Sequence, residues 1–211
     1  MKRLAHAFLT TDEQEALKAC VADVESRTSG EIAPVIASAS YHYPRATHLG
    51  ALTLSLITAV GGAVLLGRED MWTYLLLFLP LYMAFTWLFT MVPSLKRPFI
   101  CKRVMREEVE EAAITAFYLN GLHRTRDQNG VIVYVSVFER SVHILADKGI
   151  NDRVDPKAWE TIVADITKGI REGNPGQALC NGVRQCGDLI TEHFPIKHDD
   201  TNELPDLIIE D

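Results

Sequence analysis

The sequence predicts an α/β (α+β) sandwich: a small mixed β-sheet flanked by helices and interrupted by an inserted transmembrane helical hairpin. Three observations predict it. From Ala46 to Gly67 the only ionisable side chain is His48, and from Met71 to Leu95 there is none with a charge. On either side of this apolar block, helical spacing alternates with short apolar runs, the pattern of helices packed on a sheet. The first 45 residues hold one helix and one strand, too little to bury a core alone. They therefore join the residues after the block, giving one discontinuous domain of residues 1–45 plus 96–211 around a hairpin at 46–95.

In chain order, Thr11 with Gln14 reads as a capping box, and Ala16, Leu17, Cys20, Val21 and Val24 mark one helix face. Ser29-Gly30 ends that helix, and Glu31–Ser38 reads as a strand in which Pro34 predicts an edge position or an irregularity. The apolar segments 46–67 and 71–95 are 22 and 25 residues long, and crossing a bilayer takes about 20. Only Arg68-Glu69-Asp70 lies between them, so the spans are antiparallel. Trp72 and Tyr74 stand at one end of the second span and Trp87 towards the other, as amphipathic rings do at headgroup level. Ala51, Ser55, Ala59, Ala63 and Gly67 form a small-residue stripe suited to close helix approach, within the hairpin or between two copies of the chain.

Residues from Pro98 to Asn120 read as an amphipathic helix with Arg103, Arg106, Glu107, Glu110 and Glu111 outward. Val131–Phe138 is almost wholly apolar, which places it centrally with both faces covered. Glu139-Arg140 links it to a partner strand at Ser141–Ala146, where His143 alternates with apolar neighbours as a packed histidine. Asp155-Pro156 and Asn174-Pro175 open the last two helices. The tail is polar and acidic before Leu204–Ile209.

The net charge of −7 argues against a nucleic-acid partner, which asks for a basic footprint. Lys96, Arg97, Lys102, Arg103 and Arg106 follow the second span and Arg45 precedes the first, against one arginine and two acids in the loop. The positive-inside rule then sets both termini and the soluble domain on the cytoplasmic side of the plasma (inner) membrane. The four cysteines, Cys20, Cys101, Cys180 and Cys186, form no CxxC pair and read as reduced, mostly buried thiols.

Three stretches carry a family resemblance: SRTSGEIAPVIA (Ser26–Ala37), GLHRTRDQNGVIVYVSVFERSVHILADKGI (Gly121–Ile150) and NELPDLII (Asn202–Ile209). They resemble bacterial membrane proteins with a TPM domain, related to thylakoid-lumen, photosystem-assembly and receptor-modulator proteins. The resemblance implies a compact α/β sandwich around a mixed sheet. Through plant members with acid phosphatase activity and calcium binding, it also implies a divalent-ion-dependent hydrolase as an alternative to a binding role. Many members work in a lumen or periplasm, whereas the flanking charges here point to the cytoplasm.

The candidate binding residues are His123, Arg124, Arg126, Asp127, Glu139 and Asp147. Guanidinium groups grip phosphate or carboxylate through paired hydrogen bonds, and the same arginines could instead pair with the neighbouring acids. Asn129-Gly130 reads as a structural turn. Glu31, Asp127, Asp147 and Asp152 are the metal candidates, since Ca²⁺ or another divalent cation takes several oxygen ligands. His193, His198, Asp199 and Asp200 make a looser group. No EF-hand, P-loop, GxSxG or HExxH spacing is present. The expected role is a membrane-tethered, non-enzymatic binding or assembly module. Its partners are the bilayer and a protein or membrane complex, with self-association through Ala51, Ser55, Ala59 and Ala63 as a further expectation.

Overall fold

The computed structural model describes residues 4–68, 70–196 and 204–210. The chain divides into two compact units, Met1–Tyr41 with Arg106–Asp211, and His42–Met105.

In the first unit, α1 (Thr11–Glu25) is capped by Thr10, one residue before the cap of the sequence reading. Thr10 Oγ1 accepts from the Glu13 backbone N–H, and Glu13 accepts from the Thr10 N–H at 2.9 Å. The capping box is therefore Thr10/Glu13, not Thr11/Gln14. The N-cap lies one residue earlier than the sequence reading, so the third helical position falls on Glu13, and Gln14 instead donates to the Leu9 carbonyl. The Thr10 hydrogen bonds hold the Glu13 carboxyl below its ordinary pKa.

Among the described residues, four strands form one sheet in the order β3-β2-β1-β4. They are β1 (Glu31–Ala37), β2 (Gly130–Ser136), β3 (Ser141–Ala146) and β4 (Ile208–Glu210). β1 runs parallel to β2 and β4, and β3 runs antiparallel to β2. β2 is buried along its whole length, as its unbroken apolar run predicts. β1 is central rather than at an edge, which corrects the inference from Pro34. β4 begins opposite Val35, so Pro34 stands just outside that ladder and its missing N–H costs little there.

The strands alternate their side chains between two cores. Ile32, Ile36, Val131, Val133 and Val135 pack with Leu17, Val21, Ile166, Leu179, Val183 and Ile190 from α1, α6 (Pro156–Arg171) and α7 (Pro175–Thr191). Ala33, Val35, Ala37, Ile132 and Tyr134 face Val109, Ala113, Ala116 and Phe117 of α4 (Lys102–Leu119). The fold is thus the mixed-sheet α/β arrangement that the sequence predicts. His143 is half-buried on the edge strand β3, where burial lowers its pKa.

One cysteine reading is corrected. Cys20 of α1 and Cys180 of α7 form a disulfide, with Cα atoms 5.9 Å apart and a sequence separation of 160. Nothing in the local spacing could pair them; the two helices meet only in the folded unit. Cys101 and Cys186 are free, the first exposed and the second buried.

The second unit holds α2 (Pro44–Leu65) and α3 (Met71–Met91). Both are long and apolar enough to cross a membrane, with mean hydropathy 1.7 in their best windows. Ala51, Ser55, Ala59 and Ala63 are at most 2 % exposed, and they line the buried stripe of α2. Leu56, Ile57, Val64, Leu76, Met83 and both Trp72 and Trp87 are exposed. An apolar exterior on a buried small-residue seam is the reverse of a water-soluble helix pair. After Met91 the chain enters a 3-10 segment, Pro93–Phe99, so the second apolar run ends as helix four residues before Leu95.

Candidate functional site

The parallel strands β1 and β2 give the sheet two chemically different ends, and the candidate residues divide between them. At the amino end, the Thr125 hydroxyl accepts from the Asn129 N–H at 3.2 Å. Asn129 donates through Nδ2 to the Ser29 carbonyl, and its own carbonyl accepts from the Glu31 N–H at 3.2 Å. The left-handed residue of this turn is Gln128, with φ 54°; Gly130 already belongs to β2. Gly130 is needed for proximity instead: a Cβ there would lie 2.6 Å from the Leu122 carbonyl oxygen.

His123 packs its ring 5.0 Å from that of Tyr118, and its Nε2 accepts from Arg124 Nε at 3.3 Å. Arg124 and Arg126 are exposed and Asp127 is half-buried. Asp147 caps the short helix α5 (Lys148–Asn151): Oδ1 accepts from the Lys148 N–H at 2.7 Å, while Oδ2 is buried without a hydrogen bond. Asp152 ends α5 and is exposed, whereas Glu31 is 5 % exposed at the start of β1. Glu31, Asp127, Asp147 and Asp152 therefore lie around one end of the sheet. Among the described residues, however, no group of three or more His, Cys, Asp or Glu side chains is placed to hold a metal ion. His193 follows α7, and His198, Asp199 and Asp200 lie outside the described residues.

Glu139 stands apart from the other candidates. It follows β2, roughly 20 Å along the sheet from Gly130 at about 3.3 Å per residue. It is 6 % exposed. Its carboxylate accepts from the Ser40 N–H at 3.2 Å and from the Ser136 hydroxyl. Arg140 turns the link to β3 with φ 53°, supplying the backbone that a glycine usually provides.

At this end of the sheet the carboxyl ends of the parallel strands open into a cleft of 490 Å³ between the sheet and α4. Glu108, Glu111, Thr115, Ser40, Tyr41, Tyr134 and Glu210 line it, over an apolar floor that includes Ala37, Ala112 and Ala116. None of the lining residues is lysine or arginine. The Tyr134 hydroxyl lies 3.4 Å from Ser40 Oγ, and burial pushes its pKa to about 12. Glu108 is raised above its usual value, first by burial and then by Glu111 and Glu139. Asn120 Nδ2 donates to Glu210 at 3.4 Å. Acidic neighbours that raise the Glu108 pKa make a field that favours a cation and opposes a phosphate. The location also matches the general rule that ligands of open α/β sheets bind outside the carboxyl ends of the strands.

Sequence reading missed Glu108, Glu111 and Glu210, treating the α4 acids as a solvated face. The available signal was spacing: Glu108, Glu111 and Thr115 fall at i, i+3 and i+7, on the border of the apolar stripe.

Two comparisons relate the chain to known proteins. Residues 91–189 match the model of the TPM domain. The NMR structure of BA42 protein from the psychrophilic bacterium Bizionia argentinensis superposes with a TM-score of 0.61 at 25 % identity, over 97 % of this chain and 96 % of that one. No curated protein matches the chain. A sheet flanked by helices, a matching domain over residues 91–189 and a solved neighbour along nearly the whole length agree: residues 91–189 of this chain are similar to the TPM domain.

Proposed function

We propose that the protein is a membrane-anchored binding module whose acidic cleft receives a basic segment of a protein partner. The observation that carries this reading is the cleft itself: Glu108, Glu111 and Glu210 line a pocket of 490 Å³ that has aromatic walls and no basic lining residue. A lysine or arginine side chain supplies both parts that such a pocket selects, a charged head and an apolar stem. The alternative, divalent-ion-dependent phosphate-ester hydrolysis, needs positive charge beside the phosphoryl oxygens. The candidate arginines, Arg124 and Arg126, precede β2, whereas the cleft lies at its far end.

The test uses the full chain in detergent and a fluorescent arginine-rich peptide as probe. Binding should weaken about tenfold or more on Glu108→Lys, because the substitution turns a local attraction into a repulsion. Binding should also fall on acidification, beginning above the ordinary glutamate value of 4.5, since the raised pKa lets Glu108 take up its proton early. Turnover of a chromogenic phosphate ester that requires Ca²⁺ or Mg²⁺ and is lost in Arg126→Ala or Asp147→Ala would overturn the binding role.

The anchor is the hairpin, and its charges set the side. Five basic residues, Arg45, Lys96, Arg97, Lys102 and Arg103, flank the two spans in sequence, while Arg68, Glu69 and Asp70 lie between them. That bias supports both termini facing the cytoplasm. The Cys20–Cys180 disulfide no longer lends the support that reduced thiols offered, since disulfides persist mainly in oxidising compartments. The exposed free thiol of Cys101 lies next to the basic residues and reports the side directly. A membrane-impermeant maleimide should label it only after permeabilisation; labelling of intact cells would reverse the orientation.

A further inference from the structure

We propose that the acidic cleft takes an extended segment of a protein partner that carries a basic side chain and, four residues away from it, a large aliphatic one. The inference rests on the binding role proposed above and specifies the ligand of that site.

The observation that goes beyond charge is where the soluble unit leaves its apolar side chains uncovered. Outside residues 42–105, six large apolar side chains are exposed among the described residues: Leu4, Tyr41, Ile114, Tyr118, Leu119 and Ile196. Three of the six, Tyr41, Ile114 and Leu119, line the cleft. Leu119 is the most exposed of all, at 80 %. An apolar residue standing alone on a surface is ordinary, whereas several gathered around one cleft mark a place of contact.

The sequence of α4 sets the layout. Glu108, Ala112, Thr115 and Leu119 fall at i, i+4, i+7 and i+11, one line along the helix, and all four line the cleft. The two middle side chains are small, so the groove is open between them, and its two ends differ in chemistry. At one end stand Glu108 and Glu111, which have no hydrogen bond or ion pair among the described residues. At the other stand Leu119 and Glu210, and the Glu210 carboxylate already accepts from Asn120 Nδ2 at 3.4 Å. The charge left for a ligand therefore lies at the Glu108 end, and the uncovered apolar surface at the Leu119 end. With no lysine or arginine in the lining, the complement of this pattern is a base at one end and an aliphatic group at the other.

The spacing follows from geometry. Eleven residues of α4 rise about 16 Å. In an extended chain, residues four apart stand about 13 Å apart and point to the same face. The long stem of an arginine or lysine spans the remainder. Separations of three or five would turn one of the two side chains out of the groove.

Competition against the fluorescent arginine-rich peptide, with the full chain in detergent, tests the proposal. The competitors are octapeptides of serine and threonine holding one arginine and one leucine, in both chain orders, and the tighter order is carried forward. Leucine four residues from arginine should compete about tenfold better than alanine there. It should also outcompete leucine placed three or five residues away. Leu119→Ser, at a position exposed enough to leave the fold intact, should remove most of the tenfold and leave the alanine peptide nearly unchanged. Ile196→Ser, exposed but outside the cleft lining, should change neither. Equal competition by the leucine and alanine peptides, a preference that ignores spacing, or equal losses in Leu119→Ser and Ile196→Ser would each overturn the proposal. Self-association of the chain that Leu119→Ser disperses would put a second copy at the cleft and overturn it as well. Failure of the underlying binding role shows separately, as binding of the arginine-rich peptide that Glu108→Lys does not weaken.

Discussion

Tyr134→Ala is expected to destabilise the soluble unit by about 3–5 kcal/mol, the range for truncating a large buried aromatic. Tyr134 is 2 % exposed in β2, facing α4. Alanine leaves a cavity between two layers that are already held by β-sheet and helix backbones, so the surroundings can collapse only in part. For a unit of this size the loss corresponds to a fall of about 6–20 °C in thermal midpoint. Tyr134→Phe separates packing from polarity. It removes only the hydroxyl, whose contact with Ser40 Oγ is 3.4 Å, and should cost about 1 kcal/mol or less. A pKa of about 12 means that the phenol stays protonated at neutral pH, so the pair of variants should show no pH dependence from this group between pH 6 and 9. Equal midpoints for Tyr134→Ala and the wild type would contradict the packing described.

The second large effect concerns the disulfide. Cys20→Ala with Cys180→Ala should cost about 2–5 kcal/mol, because opening a link between residues this far apart frees the unfolded chain. The segment between the two cysteines, at a sequence separation of 160, includes the hairpin. Where a bilayer restrains that segment the closed loop is effectively shorter, which places the loss towards the lower part of the range. A phosphine reductant should lower the thermal midpoint of the wild type and leave that of the double variant unchanged. Cys186 does not confuse the readout: it is buried, and its pKa is pushed to about 12, so it supplies little thiolate for exchange. A wild-type midpoint unmoved by reductant would contradict the link.

These two sites also show how much was legible in the sequence. The central placement of β2 followed from seven consecutive small or apolar residues, and Tyr134 lies among them. Yet the cleft at Tyr134 was not legible, because Glu108 and Glu210 lie 26 residues before it and 76 after it. Helical periodicity says that Glu108 and Glu111 share a face, but not that the end of a sheet lies opposite. The same limit explains Pro34. Its strand is central only because Ile208–Glu210 returns from the far end of the chain to pair with Val35–Ala37. Glu139 was grouped with Asp127 and Asp147 because they are close in sequence, and a seven-residue extended strand separates them in space.

What the sequence determined alone is whatever depends on solvent preference and local geometry. Two uncharged runs of more than 20 residues, helix faces at 3.6-residue spacing and an apolar strand all follow from which side chains avoid water. Tertiary structure alone decided which distant residues became neighbours: the Cys20–Cys180 link, the β1–β4 ladder and the acidic cleft. The reason is physical. Hydrophobicity is non-directional and says only that a residue is buried, whereas pairing depends on how whole elements dock, a free energy spread over many contacts and written in no short stretch of chain.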